Sequence, residues 1–197
     1  MMPTFTRTLR GAALSALAVS LAGCVSLGGK VPDTLLTLTP DAAVPAGNTA
    51  SSAGRTIAVI EPFAAQRLAV TRVPVQVDAA NVAYLKEAVW VERPARLFRN
   101  LLAETIRSRT GRMVLDNDDT GVAPEMQLRG ALRDFGYDAQ TSSVVVRYDA
   151  IREQGGTATT RRFESVIPGV APEAAPVGAA LNQAANDVAR QVADWVQ

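Results

Sequence analysis

The residues that could do chemistry in this 197-residue chain are few, and the missing types are as informative as those present. The sequence contains no histidine and a single cysteine, Cys24. This composition excludes Ser-His-Asp and Cys-His catalytic groups and any zinc site that uses histidine. A Ser-Lys pair would need Lys30 or Lys86, and neither lies near a serine in a strained turn. The sequence therefore predicts a protein that is not an enzyme and has no cofactor.

Cys24 stands where covalent lipid chemistry could take place. It closes the run LAGC at 21–24, after a basic start with Arg7 and Arg10 and an apolar stretch at 11–22. This pattern is typical of a bacterial lipoprotein signal peptide, in which the cysteine sulfur is acylated and the chain is cut before it. The apolar stretch is too short to span about 30 Å of hydrocarbon as a permanent helix. The alternative is an ordinary secretory signal followed by an incidental cysteine.

The residues after Cys24 predict where the anchored protein resides. Val25 and Ser26 follow it, and the absence of aspartate at the second position favours export to the outer membrane. The mature chain would carry 18 basic residues (20 − 2) and 19 acidic ones, because the signal removes only Arg7 and Arg10. This balance gives no basic surface for nucleic acid. We expect a lipid-anchored protein on the periplasmic face of the outer membrane.

The acidic run at 116–121 resembles part of a calcium-binding loop. Asp116, Asp118 and Gly121 match the first, third and sixth positions of an EF-hand. Thr120 and Gln127 stand where the loop needs an acidic or amide side chain and a bidentate glutamate. The expected flanking elements are strands, so a solvated turn is the favoured interpretation and no metal site is predicted.

Hydrophobic periodicity predicts the organisation of the remaining chain. We expect a signal peptide at 1–23, a lipidated tether with one short strand and a flexible linker at 24–54, and one domain at 55–197. Apolar residues recur at helical spacing at 93–109 and 176–196. Further strands are expected at 34–39, 55–61, 68–77, 82–90, 112–115, 126–135, 144–151 and 157–167. The predicted fold class is α+β, a two-layer sandwich with a largely antiparallel or mixed sheet covered by two helices.

One segment offers a candidate contact surface for a partner or a lipid. Pro74 interrupts the strand expected at 68–77, which indicates an edge position or a bulge. Val73 and Val75 in this segment, and the aromatic residues Tyr84 and Trp90 after it, are the candidate contacts. For the aromatic residues, a place in the core is the more common role.

The order of the segments resembles the ABC-type transport auxiliary lipoproteins, the PqiC-like family. The resemblance spans about 34–197 and rests on ordered pattern, most clearly at Tyr84 to Trp90 leading into the Pro94 helix, the LRGALRDF strand at 128–135, and ADWV at 193–196. None of these is a catalytic signature. Relatives often carry a tyrosine where Leu35 or Leu36 stands.

The resemblance implies a role and partners. It implies a non-enzymatic periplasmic component of a transporter with an ABC permease and ATPase and an MCE-domain substrate-binding protein, which together move lipids between the two membranes. It also implies a homo-oligomer, such as a ring. The residues alone leave a second hypothesis open, a structural assembly lipoprotein of a secretion or envelope complex.

Overall fold

The computed structural model describes residues 32–44, 47, 56–115 and 123–197, and residues 32–197 belong to one compact unit. Within these residues the chain forms eight strands and two α-helices. The strands are β1 (Thr56–Val59), β2 (Phe63–Ala64), β3 (Arg72–Gln76), β4 (Val82–Val89), β5 (Met113–Leu115), β6 (Met126–Asp138), β7 (Ser143–Gln154) and β8 (Thr157–Pro168). The helices are α1 (Pro94–Thr110) and α2 (Ala174–Trp195), and a short 3₁₀ turn covers Gln66–Leu68.

The long strand β6 organises the sheet. On one side it pairs antiparallel with β7, which pairs antiparallel with β8. On its other side β1, β2 and β3 lie one after another along its length, each parallel to it. β5 then pairs with β1, and β4 pairs with β3. The mixed sheet with two helices confirms the predicted α+β class.

Alternation along β6 decides which side chains enter the core. Met126, Leu128 and Leu132 are buried, while Arg129 and Arg133, which point to the other face, are exposed. A bulge between Leu132 and Asp134 inserts one residue, so the buried set continues on odd positions. Both helices pack on the buried face, which leaves the other face of β6, β7 and β8 open.

The two helices bury the stripes that the sequence predicts. α1 has Pro94 in its first turn and ends at Gly111, whose φ of 63° suits a glycine. Alanine dominates the buried side of α2, which lets the helix approach the sheet and α1 closely. Four aromatic rings connect the layers through contacts of 5.3–6.3 Å between ring centroids, namely Trp90, Phe135, Phe98 and Tyr148.

Two expectations about strands need correction. β3 is an interior strand between β4 and β6, so the prediction of an edge at 68–77 is wrong. The alternative, a bulge at Pro74, is confirmed by the register shift between Arg72 and Pro74. The expected strand at 34–39 reduces to one bridge between Leu36 and Trp90, because beyond Leu36 the backbone at Thr39 bonds to side chains of α2 and not to a strand.

Candidate functional site

The N-terminal segment of the described chain, residues 36–44, crosses the helical layer and is called the strap below. Leu36 donates a backbone hydrogen bond to the carbonyl of Val89 at 2.7 Å and accepts one from Val91 at 2.9 Å. The end of its side chain packs against Gly178 of α2, where the absence of a Cβ atom leaves room for the Leu36 methyl group. The strap therefore begins at a fixed place between β4 and α2.

Two asparagines of α2 bind the backbone of the strap. Asn182 Oδ1 accepts a hydrogen bond from the Thr39 amide at 2.8 Å, and Asn186 Oδ1 accepts one from the Asp41 amide at 2.9 Å. Asn186 Nδ2 also donates to the Thr39 carbonyl at 2.9 Å. The spacing of four residues places both amides on one side of the helix. The amide side chains of Asn182 and Asn186 therefore satisfy backbone hydrogen-bonding groups of the strap.

We expect Asn186→Ala to lower the free energy of unfolding by about 2–3 kcal/mol, because it removes several hydrogen bonds from a side chain only 2% exposed. Chemical denaturation of the purified chain measures this change. Asn100→Ala is the matched control, since Asn100 is an exposed asparagine on α1. A loss in Asn186→Ala no larger than in this control would contradict the role of the strap contacts.

The candidate residues from the sequence fall in different places. Cys24 and the acidic run at 116–121 lie outside the described residues. Val73 and Trp90 are 0% and 1% exposed, so neither presents a side chain to a partner here. Val75 is partly buried against the core. Tyr84 is partly exposed, with the Arg72 guanidinium 4.6 Å from its ring centroid. These four residues therefore form no common surface.

The open face of the sheet carries a groove of about 740 Å³ that the sequence did not reveal. Phe63 stands beside Ala131 on this face and is 70% exposed, an unusual position for a phenylalanine. Ile151 continues the apolar floor, with charged side chains on both sides of it. The sequence gives only a weak indication of this groove, because Phe63 belongs to a strand of only two residues.

Asp149 is the electrostatic centre of the groove. Its carboxylate accepts hydrogen bonds from Arg162 Nε at 2.6 Å and from Arg133 Nε at 2.8 Å. The guanidinium of Arg162, helped by that of Arg133, holds the pKa of Asp149 at about 2, below its usual value. Since two arginines share one carboxylate, this part of the groove has an excess of positive charge.

A second group of ion pairs lies along the same face. Asp134 pairs with both Arg67 and Arg147, and Arg147 also pairs with Glu164. The bulge in β6 explains this arrangement, because it turns Asp134 to the same face as the preceding Arg133. Such exposed pairs contribute little stability individually. They give this face its pattern of positive and negative charges.

Within the described residues, no helix is long and apolar enough to cross a membrane.

Sequence and structure comparisons place the chain among known proteins. A family model described as ABC-type transport auxiliary lipoprotein component matches residues 36–193. We found no match among curated proteins. A crystal structure of a Xanthomonas campestris protein assigned to DUF330 is similar, with a TM-score of 0.65 and 19% identity over 82% of this chain and 92% of that one.

A second crystal structure, of a protein described as uncharacterized, has a TM-score of 0.65 and 16% identity over 73% of this chain and 92% of that one. At these identities the two structures support the fold alone. The family match begins at Leu36, the first residue of the strap, and ends at Ala193, near the end of α2. It thus covers the sheet, both helices and the strap. The chain belongs to the family of ABC-type transport auxiliary lipoprotein components.

Proposed function

We propose that this protein is a non-enzymatic lipoprotein, anchored through Cys24 on the periplasmic face of the outer membrane. There it serves an ABC transporter whose substrate-binding subunit carries an MCE domain and which moves lipids across the cell envelope. The observation that carries the proposal is the family match over residues 36–193, because the family is a component of ABC-type transport. The lipobox-like run at 21–24 supports the anchor.

The position of the strap supports a function for which the protein must stay close to the membrane. Leu36 follows Cys24 by twelve residues (36 − 24), so a fully extended tether reaches at most about 40 Å. The hydrogen bonds of Leu36 to β4, and those of Asn182 and Asn186 to the strap, attach the tether to the folded domain. A lipid on Cys24 would therefore keep the domain close to the membrane surface. The protein would act by holding its partners there.

Crosslinking in intact cells, followed by purification of a tagged chain, tests this proposal. We expect enrichment of an MCE-domain protein and its permease relative to an unrelated outer-membrane lipoprotein that carries the same tag. Recovery of secretin or pilus components without any MCE-domain protein would contradict the proposal and favour an assembly lipoprotein.

A further inference from the structure

The outer edge of β8 is an open edge of the described sheet. Within the residues that the structure describes, β8 pairs only with β7, along all twelve of its residues. α2 covers the second half of the edge, where Gln191 Nε2 donates to the Glu164 carbonyl at 3.3 Å and Ser165 bonds Asp187. The six residues 157–162 are all exposed. An uncovered strand edge of this kind can pair with another strand.

Arginines flank this bare edge on the helix side of the sheet. The Arg161 guanidinium lies 5.1 Å from the centroid of the Phe163 ring, and that of Arg152 lies 4.8 Å from the centroid of Trp195. The two rings contact each other at 5.6 Å. Arg152 also donates to the Trp195 carbonyl at 2.8 Å. Arg161 and Arg152 thus place two positive charges on this side of the edge.

The open face of the same edge is also positive. Arg162 projects there and shares Asp149 with Arg133, as described for the groove. A strand added beside β8 would place alternate side chains on the two faces of the sheet. Carboxylates on one face would lie near Arg162, and those on the other face would lie near Arg161. Acidic side chains are therefore complementary to the edge on both faces.

We propose that the edge of β8 at 157–162 binds an extended acidic segment of a partner protein as an added strand. Main-chain hydrogen bonds to the bare edge supply affinity, and the arginines select negative charge and set the register. A second copy of this chain is a poorer occupant, because its own 157–162 edge carries no carboxylate that could meet the arginines. The inference goes beyond the proposed function, since it assigns a binding surface that requires no contact with lipid.

A fluorescently labelled peptide of about ten residues, in which pairs of glutamates alternate with pairs of threonines so that carboxylates project on both faces, tests the inference on the full-length chain in detergent. We expect it to bind and to slow amide hydrogen exchange at 157–162. The same peptide with alternate backbone nitrogens methylated cannot add a strand, and a lysine-threonine peptide has the wrong charge. Both should bind at least about fivefold more weakly.

Variants of the protein separate this edge from general electrostatic attraction. Arg161→Glu should weaken binding by about five- to tenfold, because it replaces attraction with repulsion beside the added strand. Arg96→Glu, on the exposed side of α1, is the matched charge reversal and should leave binding unchanged. Thermal melting of both variants confirms that they fold.

Several results would overturn the inference. They are absence of peptide binding, equal binding of the methylated peptide, protection outside β8, and no effect of Arg161→Glu. A dimer of the chain in which residues 157–162 are already protected would also overturn it, since a second copy would then occupy the edge. None of these outcomes depends on transport or on acylation, so the inference and the proposed function can fail separately.

Discussion

Replacing Gly130 with alanine is expected to lower the free energy of unfolding by about 3 kcal/mol, the upper part of the range for overpacked cores. Gly130 lies in β6 and faces the helices, opposite Ala150 of β7. A Cβ atom there would lie well inside van der Waals distance of the Asp149 carbonyl oxygen and 2.9 Å from Cε2 and Oη of Tyr148. The glycine is needed for space, since its φ lies outside the left-handed region.

The surroundings of Gly130 have little freedom to relax. The Asp149 carbonyl belongs to the central hairpin, so moving it disturbs the pairing of β6 with β7. The Tyr148 side chain is 0% exposed and packs against Phe98, and burial raises the pKa of its hydroxyl above the usual value. Both neighbours are therefore fixed by the rest of the core.

Urea denaturation of the purified variant measures the predicted loss. Gly178→Ala is the control, because its added Cβ would meet only the flexible end of the Leu36 side chain and alanine favours the helix. We expect that substitution to change stability by less than about 1 kcal/mol. Equal stability of Gly130→Ala and the parent protein would show that the close packing of β6, β7 and Tyr148 is wrongly described.

Replacing Cys24 with serine is expected to move the protein from the membrane to the soluble periplasmic fraction. A hydroxyl in place of the thiol removes the sulfur that the acyl groups would occupy. Each buried CH₂ of an acyl chain contributes about 0.8 kcal/mol, so losing the chains should abolish stable attachment. Flotation of envelope fractions on a density gradient, with immunodetection, measures the distribution.

Two controls make the Cys24→Ser result specific. Ser26→Ala changes a neighbouring residue and keeps the cysteine, so it should remain in the membrane fraction. Thermal melting of Cys24→Ser should match that of the parent, because the compact unit that contains the fold begins at Pro32. An unchanged share of Cys24→Ser in the membrane fraction would contradict the lipid anchor, and a parent chain that is already soluble would favour the alternative of an incidental cysteine.

Local patterns in the sequence were sufficient to predict the main helices and strands. The helix predicted at 93–109 is found at Pro94–Thr110, because its apolar positions recur at helical spacing and Gly111 ends it. The meander of β6, β7 and β8 follows from alternation and from turns such as that at Asp138, whose carboxylate accepts the Gln140 amide at 2.8 Å. Each of these patterns involves residues that are close to one another in the sequence.

Contacts between distant segments could not be predicted in the same way. Alternation identifies the buried face of a strand, but it does not identify the neighbouring strands, so it could not show that β3 lies between β4 and β6. The contacts of the strap with Asn182 and Asn186 join residues more than 140 positions apart. One local signal was present, since Asn186 interrupts an otherwise alanine-rich buried stripe and a buried amide needs partners.

The transfer of labelled phospholipid between the inner and outer membranes tests the central claim most directly, namely that this domain works only while lipid holds it in place. The measurement compares a strain that lacks the protein, the same strain with the parent chain, and the same strain with Cys24→Ser at an equal periplasmic level. We predict that the parent restores transfer and that the released, folded domain does not. Full transfer with the released domain, or no dependence of transfer on the protein, would contradict the account.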